Sequence, residues 1–237
     1  MRGDFSARPI AEEDLQTILD CAVCAANSAG RQNYSIIVSS DKAKMKRVCG
    51  YTGDKMLVFC VDFTRVVDMA EHLGHVFAVS DLRGFITGST DTILTAQTAC
   101  IAARSLGIDS LFSSEFHHGK LLRVYNILGL PAKHCFPLVA LVLGYAKAEP
   151  EVLQARLSGS GVIHQETYHR LTADEREALV KGYDDPQQHL GLPHDWSADG
   201  FRHYLDWLYS KWSRHADTPQ ELYAALRTLK FLPEEKK

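Results

Sequence analysis

The sequence lacks the features that mark membrane-spanning, secreted or nucleic-acid-binding proteins. No apolar run among its 237 residues reaches the length of a bilayer span, and nothing at its start resembles a signal peptide. A formal net charge of −3 provides no basic excess for nucleic acid or for an anionic membrane surface. With 46% hydrophobic and 23% charged residues, the chain is expected to be a globular protein of the cytoplasm.

The sequence also lacks the common motifs of nucleotide binding and hydrolysis. It contains no G-x-G-x-x-G, no G-x-x-x-x-G-K and no G-x-S-x-G. No motif therefore supports dinucleotide binding by a Rossmann fold, nucleotide binding by a P-loop, or serine-hydrolase activity. Two histidine pairs, His72 with His75 and His117 with His118, could hold a metal ion. Because H-E-x-x-H is absent, metal-dependent hydrolysis remains a weak alternative.

The cysteines show no pattern of a disulfide framework or a zinc site. All six lie inside apolar runs that are predicted to be helices or strands. Cys21 and Cys24 form a C-x-x-C in the middle of a predicted helix, without a second pair at zinc spacing. We therefore expect buried free thiols, which are typical of a reducing compartment.

Hydrophobic periodicity predicts alternating helices and strands as far as Tyr145. The first predicted helix begins near Glu12, and the other predicted helices cover residues 43–48, 66–77, 91–106 and 119–130. The predicted strands cover residues 35–39, 55–63, 108–113 and 137–145. This order favours an α+β fold with helices on both sides of a sheet. The remaining residues contain no strong strand, and their apolar helical stripe is expected to pack on the core or on a partner. The stripe comprises Phe201, Tyr204, Trp207, Leu208 and Trp212.

A run of small and polar residues, CAANSAGRQNY at positions 24–34, connects the first predicted helix to the first predicted strand, and we call this segment the joint. Gly30 already supplies the residue that such a connection needs at the end of a helix. The remaining polar side chains are Asn27, Ser28, Arg31, Gln32 and Asn33. They are either hydrogen-bond partners of a ligand or the solvated side chains of a capped loop.

From Arg2 to Leu157 the chain resembles the nitroreductase family of FMN-dependent flavoenzymes. The early family motif A-P-S-A-x-N-x-Q-P-W aligns with the joint when Gln32 is set on its Gln, which places Asn27 on the Ser and Gly30 on the Asn. The later runs AARSLGIDSLF and FPLVALVLGY fall where the family has the end of a helix and its closing strand. The match is in order and spacing more than in identity.

This resemblance implies an α+β, three-layer α/β/α sandwich with a central, mainly antiparallel sheet, assembled as an intertwined homodimer. Residues 1–157 would form the FMN-binding core, and residues 158–237 a helical extension on the core or on the partner subunit. The implied function is NAD(P)H-driven, ping-pong reduction of nitroaromatics, quinones or related electron-poor acceptors. The alternative is a non-catalytic flavin-binding or interaction dimer.

The resemblance also implies where FMN is bound. The joint would contact the cofactor, the end of the strand 108–113 would approach the ring, and two arginines would bind the phosphate. The implied contacts are Arg2, Asn27, Ser28, Arg31, Gln32, Ser113, Ser114, Glu115 and Arg156. Gln154 replaces a family Lys, and Arg2 alone remains of an Arg-rich run, so either FMN is held more weakly or the start is truncated. The serines are equally compatible with a solvent-facing turn.

Overall fold

The computed structural model describes residues 3–78, 81–149, 151–159, 161–213 and 220–233. The chain divides into two compact units, residues 1–148 with 219–237 and residues 149–218. The sequence predicts a boundary after Leu157 and assigns everything beyond it to one extension. The structure divides the chain earlier and returns its last segment to the first unit.

Most of the regular structure lies in the first unit. Its elements are α1 (Glu12–Val23), β1 (Tyr34–Ser39), α2 (Lys42–Cys49), β2 (Lys55–Asp62), α3 (Thr64–His72), α4 (Leu82–Ser105), β3 (Asp109–Ser113), α5 (Leu121–Leu128) and β4 (Cys135–Gly144). The second unit contains α6 (Ala173–Asp184) and α7 (Tyr204–Trp212), and the chain returns to the first unit with α8 (Gln220–Thr228). No helix within the described ranges is long and apolar enough to cross a bilayer.

The four strands form one sheet in the order β1-β2-β4-β3. Each of the three pairings is antiparallel: Tyr34 lies opposite Val61, Lys55 opposite Leu143, and Asp109 opposite Gly144. The prediction of an α+β fold with a mainly antiparallel sheet is confirmed.

Helices cover both faces of this sheet, which explains the uninterrupted apolar run of β2. Leu57 and Phe59 point into a core shared with α1 and α4, while Met56 and Val58 point into a second core shared with α2 and α5. Because strand side chains alternate between faces, a strand covered on both sides must be apolar at nearly every position. The sequence prediction of a central strand here is confirmed.

Helix α4 begins nine residues before its predicted start at Asp91, counting from Leu82. The Asp81 side chain caps it by accepting a hydrogen bond from the Gly84 backbone N–H at 2.6 Å. Gly88, which lowers helix propensity, lies where an added Cβ would come within 2.6 Å of Val61 and 2.8 Å of Phe63. The predicted start was wrong because this glycine serves close packing rather than a break in the helix.

Two other predictions change near the ends of elements. Helix α3 ends at His72 and not at residue 77, and its first residue is Thr64. After α8, Leu229 and Phe231 are buried in the core of the first unit, where the Phe231 ring lies 5.2 Å from that of Phe85. The last segment therefore belongs to the fold of this unit.

The predicted aromatic stripe of α7 is partly buried within the second unit itself. The Tyr204 ring stacks on Tyr183 at 5.5 Å, and the Trp207 ring stacks on His194 at 4.2 Å. Trp212 is 64% exposed. Packing against the core or a partner is therefore not needed to bury Tyr204 and Trp207.

Candidate functional site

The joint between α1 and β1 has a strained backbone. A single 3₁₀ turn covers Ser28–Gly30, and Ala29, Gly30 and Gln32 have φ angles of 54°, 68° and 50°. Two of these residues are not glycine, and each such conformation costs on the order of 1 kcal/mol or more. A backbone of this kind persists only where other contacts fix it, and it is common at functional sites.

The buried carboxylate of Asp91, in α4, holds the joint in place by two hydrogen bonds. Its Oδ1 accepts a hydrogen bond from the Ser28 backbone N–H at 2.9 Å, and its Oδ2 accepts one from Asn33 Nδ2 at 2.8 Å. Asp91 is 2% exposed and Asn33 is fully buried. A buried carboxylate that accepts two hydrogen bonds is a strong constraint, because its removal leaves buried donors without a partner.

Asn27 and Arg65 complete the support of the joint. The Asn27 side chain accepts a hydrogen bond from the Gln32 backbone N–H at 3.0 Å and donates one to the Ala25 carbonyl at 3.3 Å. The Arg65 guanidinium donates from Nη2 to the carbonyls of Arg31 and Gln32, at 2.8 Å in each case. Asn27 thus positions the joint, whatever else it contacts.

Arg31 and Asn33 retain hydrogen-bonding capacity that the joint does not use. Arg31 donates from Nη2 to Ser28 Oγ at 2.8 Å, while its Nη1 has no hydrogen-bond partner in the described part of the chain. Asn33 Oδ1 is a buried acceptor that also lacks a partner among the described residues. The joint therefore offers one cation and one unsatisfied acceptor, together with the Gln32 amide, which donates to Tyr34 Oη at 3.2 Å.

The cluster predicted at the end of β3 consists of Ser113, Ser114 and Glu115, and only some of these side chains are free to contact a ligand. The Ser113 hydroxyl is 3.1 Å from the Cys49 carbonyl, to which it donates, and it accepts a hydrogen bond from the Glu115 backbone N–H at 3.3 Å. Glu115 forms an ion pair with Lys120 at 2.8 Å, and this hydrogen bond lowers the pKa of the carboxyl. The Ser114 side chain is exposed and forms no hydrogen bond with another described residue.

Ser114 lies at the edge of a mostly apolar cavity of about 430 Å³ on the first unit. The other lining residues are Ile93, Ala96, Gln97, Phe112, His117, Leu138 and Val139. They come from α4, from the end of β3, from the first half of β4 and from the turn after β3. An apolar cleft with a few polar groups at its edge is typical of a small-molecule site.

His117 is the titratable group of this cavity. Its Nε2 lies 2.9 Å from the Pro137 carbonyl and must donate to it, so Nδ1 is the unprotonated nitrogen of the neutral ring. Burial lowers the pKa of His117, although the hydrogen bond to Pro137 opposes this effect. The sequence suggested this residue only as a metal ligand. The sequence alone does not distinguish His117, which is half-buried, from the adjacent His118, which is exposed.

Neither of the two predicted phosphate ligands lies among the described residues of the first unit. Arg156 lies in the second unit, where its Nη1 donates to the carbonyls of Gln154 and Ala155 at 3.1 and 2.8 Å. Arg2 lies outside the described residues. Within the described ranges no three His, Cys, Asp or Glu side chains are grouped as a metal site would require.

A comparison with protein families decides what this chain is related to. The model of the nitroreductase family matches residues 1–145, more than half of the chain. The chain belongs to the nitroreductase family. The family predicted from the joint and the later runs is therefore confirmed.

Curated relatives and solved structures agree with this assignment. The nitroreductase-family chain is 30% identical over 192 residues to an FMN reductase (NAD(P)H) of Bacillus subtilis, covering 76% of the chain and 75% of that protein. It is 28% identical over 192 residues to the NADPH-flavin oxidoreductase of Vibrio harveyi, covering 78% and 75%. A nitroreductase structure from B. subtilis superimposes with a TM-score of 0.82 at 24% identity, covering 97% of this chain and 94% of that one, so the two share a fold.

Proposed function

We propose that this chain is an FMN-dependent NAD(P)H oxidoreductase that reduces electron-poor acceptors such as nitroaromatics and quinones. The observation that carries the proposal is the strained polar joint, fixed by buried Asp91, in a chain of the nitroreductase family. The names of its relatives, among them an NADPH nitroreductase of Salmonella typhimurium that is 29% identical over 189 residues, agree with this activity.

The residues of the joint fit FMN chemically. FMN presents a phosphate, several hydroxyl groups and a ring edge with both donors and acceptors. Arg31 supplies a cation, Asn33 Oδ1 an acceptor that lacks a partner in the described part of the chain, and Gln32 an amide. When bound, FMN supplies two-electron transfer between the reduced nicotinamide and the acceptor. Ser28, Arg31 and Gln32 would hold it, Asn27 would position them, and Arg2 and Arg156 would add phosphate contacts.

The cavity beside Ser114 would take the flat substrates of the reaction. Phe112, Leu138 and Val139 give it apolar walls that exclude water. His117 is kept neutral by burial, so it adds no charge to the cavity at neutral pH. The Ser114 hydroxyl remains the group that would donate a hydrogen bond toward the ring, because the Glu115 backbone N–H already donates to Ser113 Oγ.

We infer that the chain works as a homodimer. Large apolar side chains of α4 are between 43% and 61% exposed, namely Leu82, Ile86, Ile93, Leu94 and Ile101. They continue into the apolar cavity, to which Ile93 contributes. A second copy of the chain would cover this surface. Contiguous exposed apolar patches are typical of interaction sites. All six cysteines are free, which supports a cytoplasmic location, but Cys21 and Cys24 are exposed and not buried as expected.

Steady-state kinetics test the proposed reaction. The FMN-loaded protein is assayed with NADPH or NADH against a nitroaromatic or a quinone over a grid of both concentrations. Parallel double-reciprocal lines are expected, because both substrates use one site in turn. Absence of turnover in protein that retains flavin would favour the non-catalytic flavin-binding alternative.

A further inference from the structure

A second candidate site lies in the first unit, in a groove between α2 and α5. It has a volume of about 470 Å³. Its lining consists of Asp41, Ala43, Lys44, Arg47, Arg123, Asn126 and Ile127. None of these residues belongs to the proposed FMN site or to the cavity beside Ser114, so the groove needs a separate explanation.

Each helix presents two polar residues to the groove from one face. Lys44 and Arg47 are three residues apart on α2, and Arg123 and Asn126 are three residues apart on α5, a spacing that makes side chains neighbours on a helix. Both helices are held by buried residues between these positions, Met45 on α2 and Val124 on α5, which share one core. The cations therefore project from rigid elements and not from loops.

The three basic residues of the groove, Lys44, Arg47 and Arg123, differ from the basic residues of the same unit that form ion pairs. Lys55, Arg104 and Lys120 each form an ion pair with a carboxylate at 2.6–3.0 Å. Lys44, Arg47 and Arg123 have no side-chain hydrogen bond or ion pair with any described residue. The carboxylate in the lining, Asp41, caps α2 by accepting a hydrogen bond from the Lys44 backbone N–H at 2.9 Å.

The charge of the groove matches one phosphate group. Three cations and one carboxylate leave a formal charge of +2 in a chain whose formal net charge is −3. A phosphate monoester carries roughly −1.5 to −2 at neutral pH. Arginine guanidinium groups match phosphate oxygens in pairs, and the Asn126 amide adds another donor.

The helix dipole explains only part of this arrangement. Arg47 lies in the last turn of α2, where a cation is stabilised by the helix end. That effect does not account for Arg123, which projects from a different helix into the same groove. We propose that the groove between α2 and α5 binds the phosphate group of a small phosphorylated metabolite, independently of the proposed redox function.

Calorimetric titration of the full chain with inorganic phosphate and with ribose 5-phosphate, at constant ionic strength in chloride, tests this site. The groove variant is Lys44→Gln/Arg47→Gln/Arg123→Gln. The control variant, Arg83→Gln/Lys133→Gln/Arg170→Gln, removes the same charge from exposed positions elsewhere. We expect saturable binding of both probes to wild type and control, and affinity at least about tenfold weaker in the groove variant.

Titration of the apoprotein, and of FMN-loaded protein from which free FMN has been removed, separates this site from the proposed flavin site, because free FMN carries a phosphate that would itself compete for the groove. Phosphate binding to wild type should persist in the FMN-loaded protein, and the flavin content after removal of free FMN should be equal in all three proteins. Loss of phosphate binding in the FMN-loaded protein, equal affinities of wild type and groove variant, or an equal loss in the control would each overturn the proposal. Binding of inorganic phosphate without ribose 5-phosphate would overturn the assignment to a metabolite. If the triple variant does not fold, Arg123→Gln alone should weaken both probes, and unchanged binding would reject the site.

Discussion

Asp91 is the single residue on which the geometry of the joint depends most. Asp91→Ala removes the acceptor of two buried or part-buried donors, the Ser28 N–H and Asn33 Nδ2. Hydrogen bonds to charged groups contribute about 1.5–3 kcal/mol each, so the free energy of unfolding should fall by roughly 3 kcal/mol. FMN occupancy should fall with it. Denaturant unfolding and the flavin content of the purified protein measure the two effects.

Asp68→Ala is the matched control, since Asp68 is an exposed aspartate of α3. It should change the free energy of unfolding by no more than about 0.5 kcal/mol. Equal flavin content in Asp91→Ala and wild type would show that the conformation of the joint is not needed for cofactor binding.

Arg156 remains the best sequence match to a phosphate ligand. Arg156→Ala should weaken FMN binding by about tenfold or more, because a charge-assisted contact contributes about 1.5–3 kcal/mol. Riboflavin lacks the phosphate, so its affinity should hardly change. Fluorescence titration with both flavins measures this. Arg176→Ala is the control, because Arg176 is also exposed and also donates to a carbonyl of its own segment. Equal losses of FMN and riboflavin affinity would rule out the phosphate contact.

His117 should make stability depend on pH. Because burial lowers its pKa, the folded protein binds fewer protons than the unfolded chain at pH values just below the ordinary pKa of about 6.5. Stability is therefore lost as the pH falls through this window, by at most about 1.4 kcal/mol per pH unit for one proton. His117→Gln keeps a donor for the Pro137 carbonyl but cannot titrate, so it should lose less stability than wild type between pH 7 and 5. His118→Gln, at an exposed position, should follow wild type; a matching loss in His117→Gln would refute the assignment.

The sequence predicted the polar joint but not what holds it. Asn27 and Gln32 are close in the chain, so their grouping could be read from a short motif. Asp91 contacts Asn33 across 58 positions, and Arg65 contacts the Gln32 carbonyl across 33. Such contacts arise from tertiary packing, which local patterns do not encode.

At the scale of elements, α4 links the joint to the sheet and to the apolar cavity. Its residue Gly88 permits the close approach to Val61 and Phe63. Gly88→Ala should therefore destabilise the protein by about 1–3 kcal/mol, although alanine is the better helix former by about 1 kcal/mol. Thermal unfolding checks this, with Thr90→Ala at an exposed position of α4 as control. A gain in stability from Gly88→Ala would mean that the helix is not packed this closely.

The elements best predicted were those with a single dominant pattern. The apolar run of β2 and the glycine-ended strand β4 were recognised because burial on both faces leaves no polar position. The start of α4 was not, because Gly84 and Gly88 obscure the helical pattern and the cap at Asp81 is far from the apolar stripe. The burial of Phe231 in the core shared with α2 and α5 could not be predicted, because no local feature of the sequence around Phe231 indicates which part of the chain it packs against.

At the scale of the whole molecule, the proposed reaction requires FMN to be bound where reduced nicotinamide can reach it. Anaerobic addition of NADPH or NADH to the purified, FMN-loaded protein, followed by visible absorbance, tests this most directly. We predict that the flavin absorbance bleaches and returns when a quinone or a nitroaromatic is added. A protein that binds no FMN, or whose bound flavin keeps its colour with both nucleotides, would contradict the account.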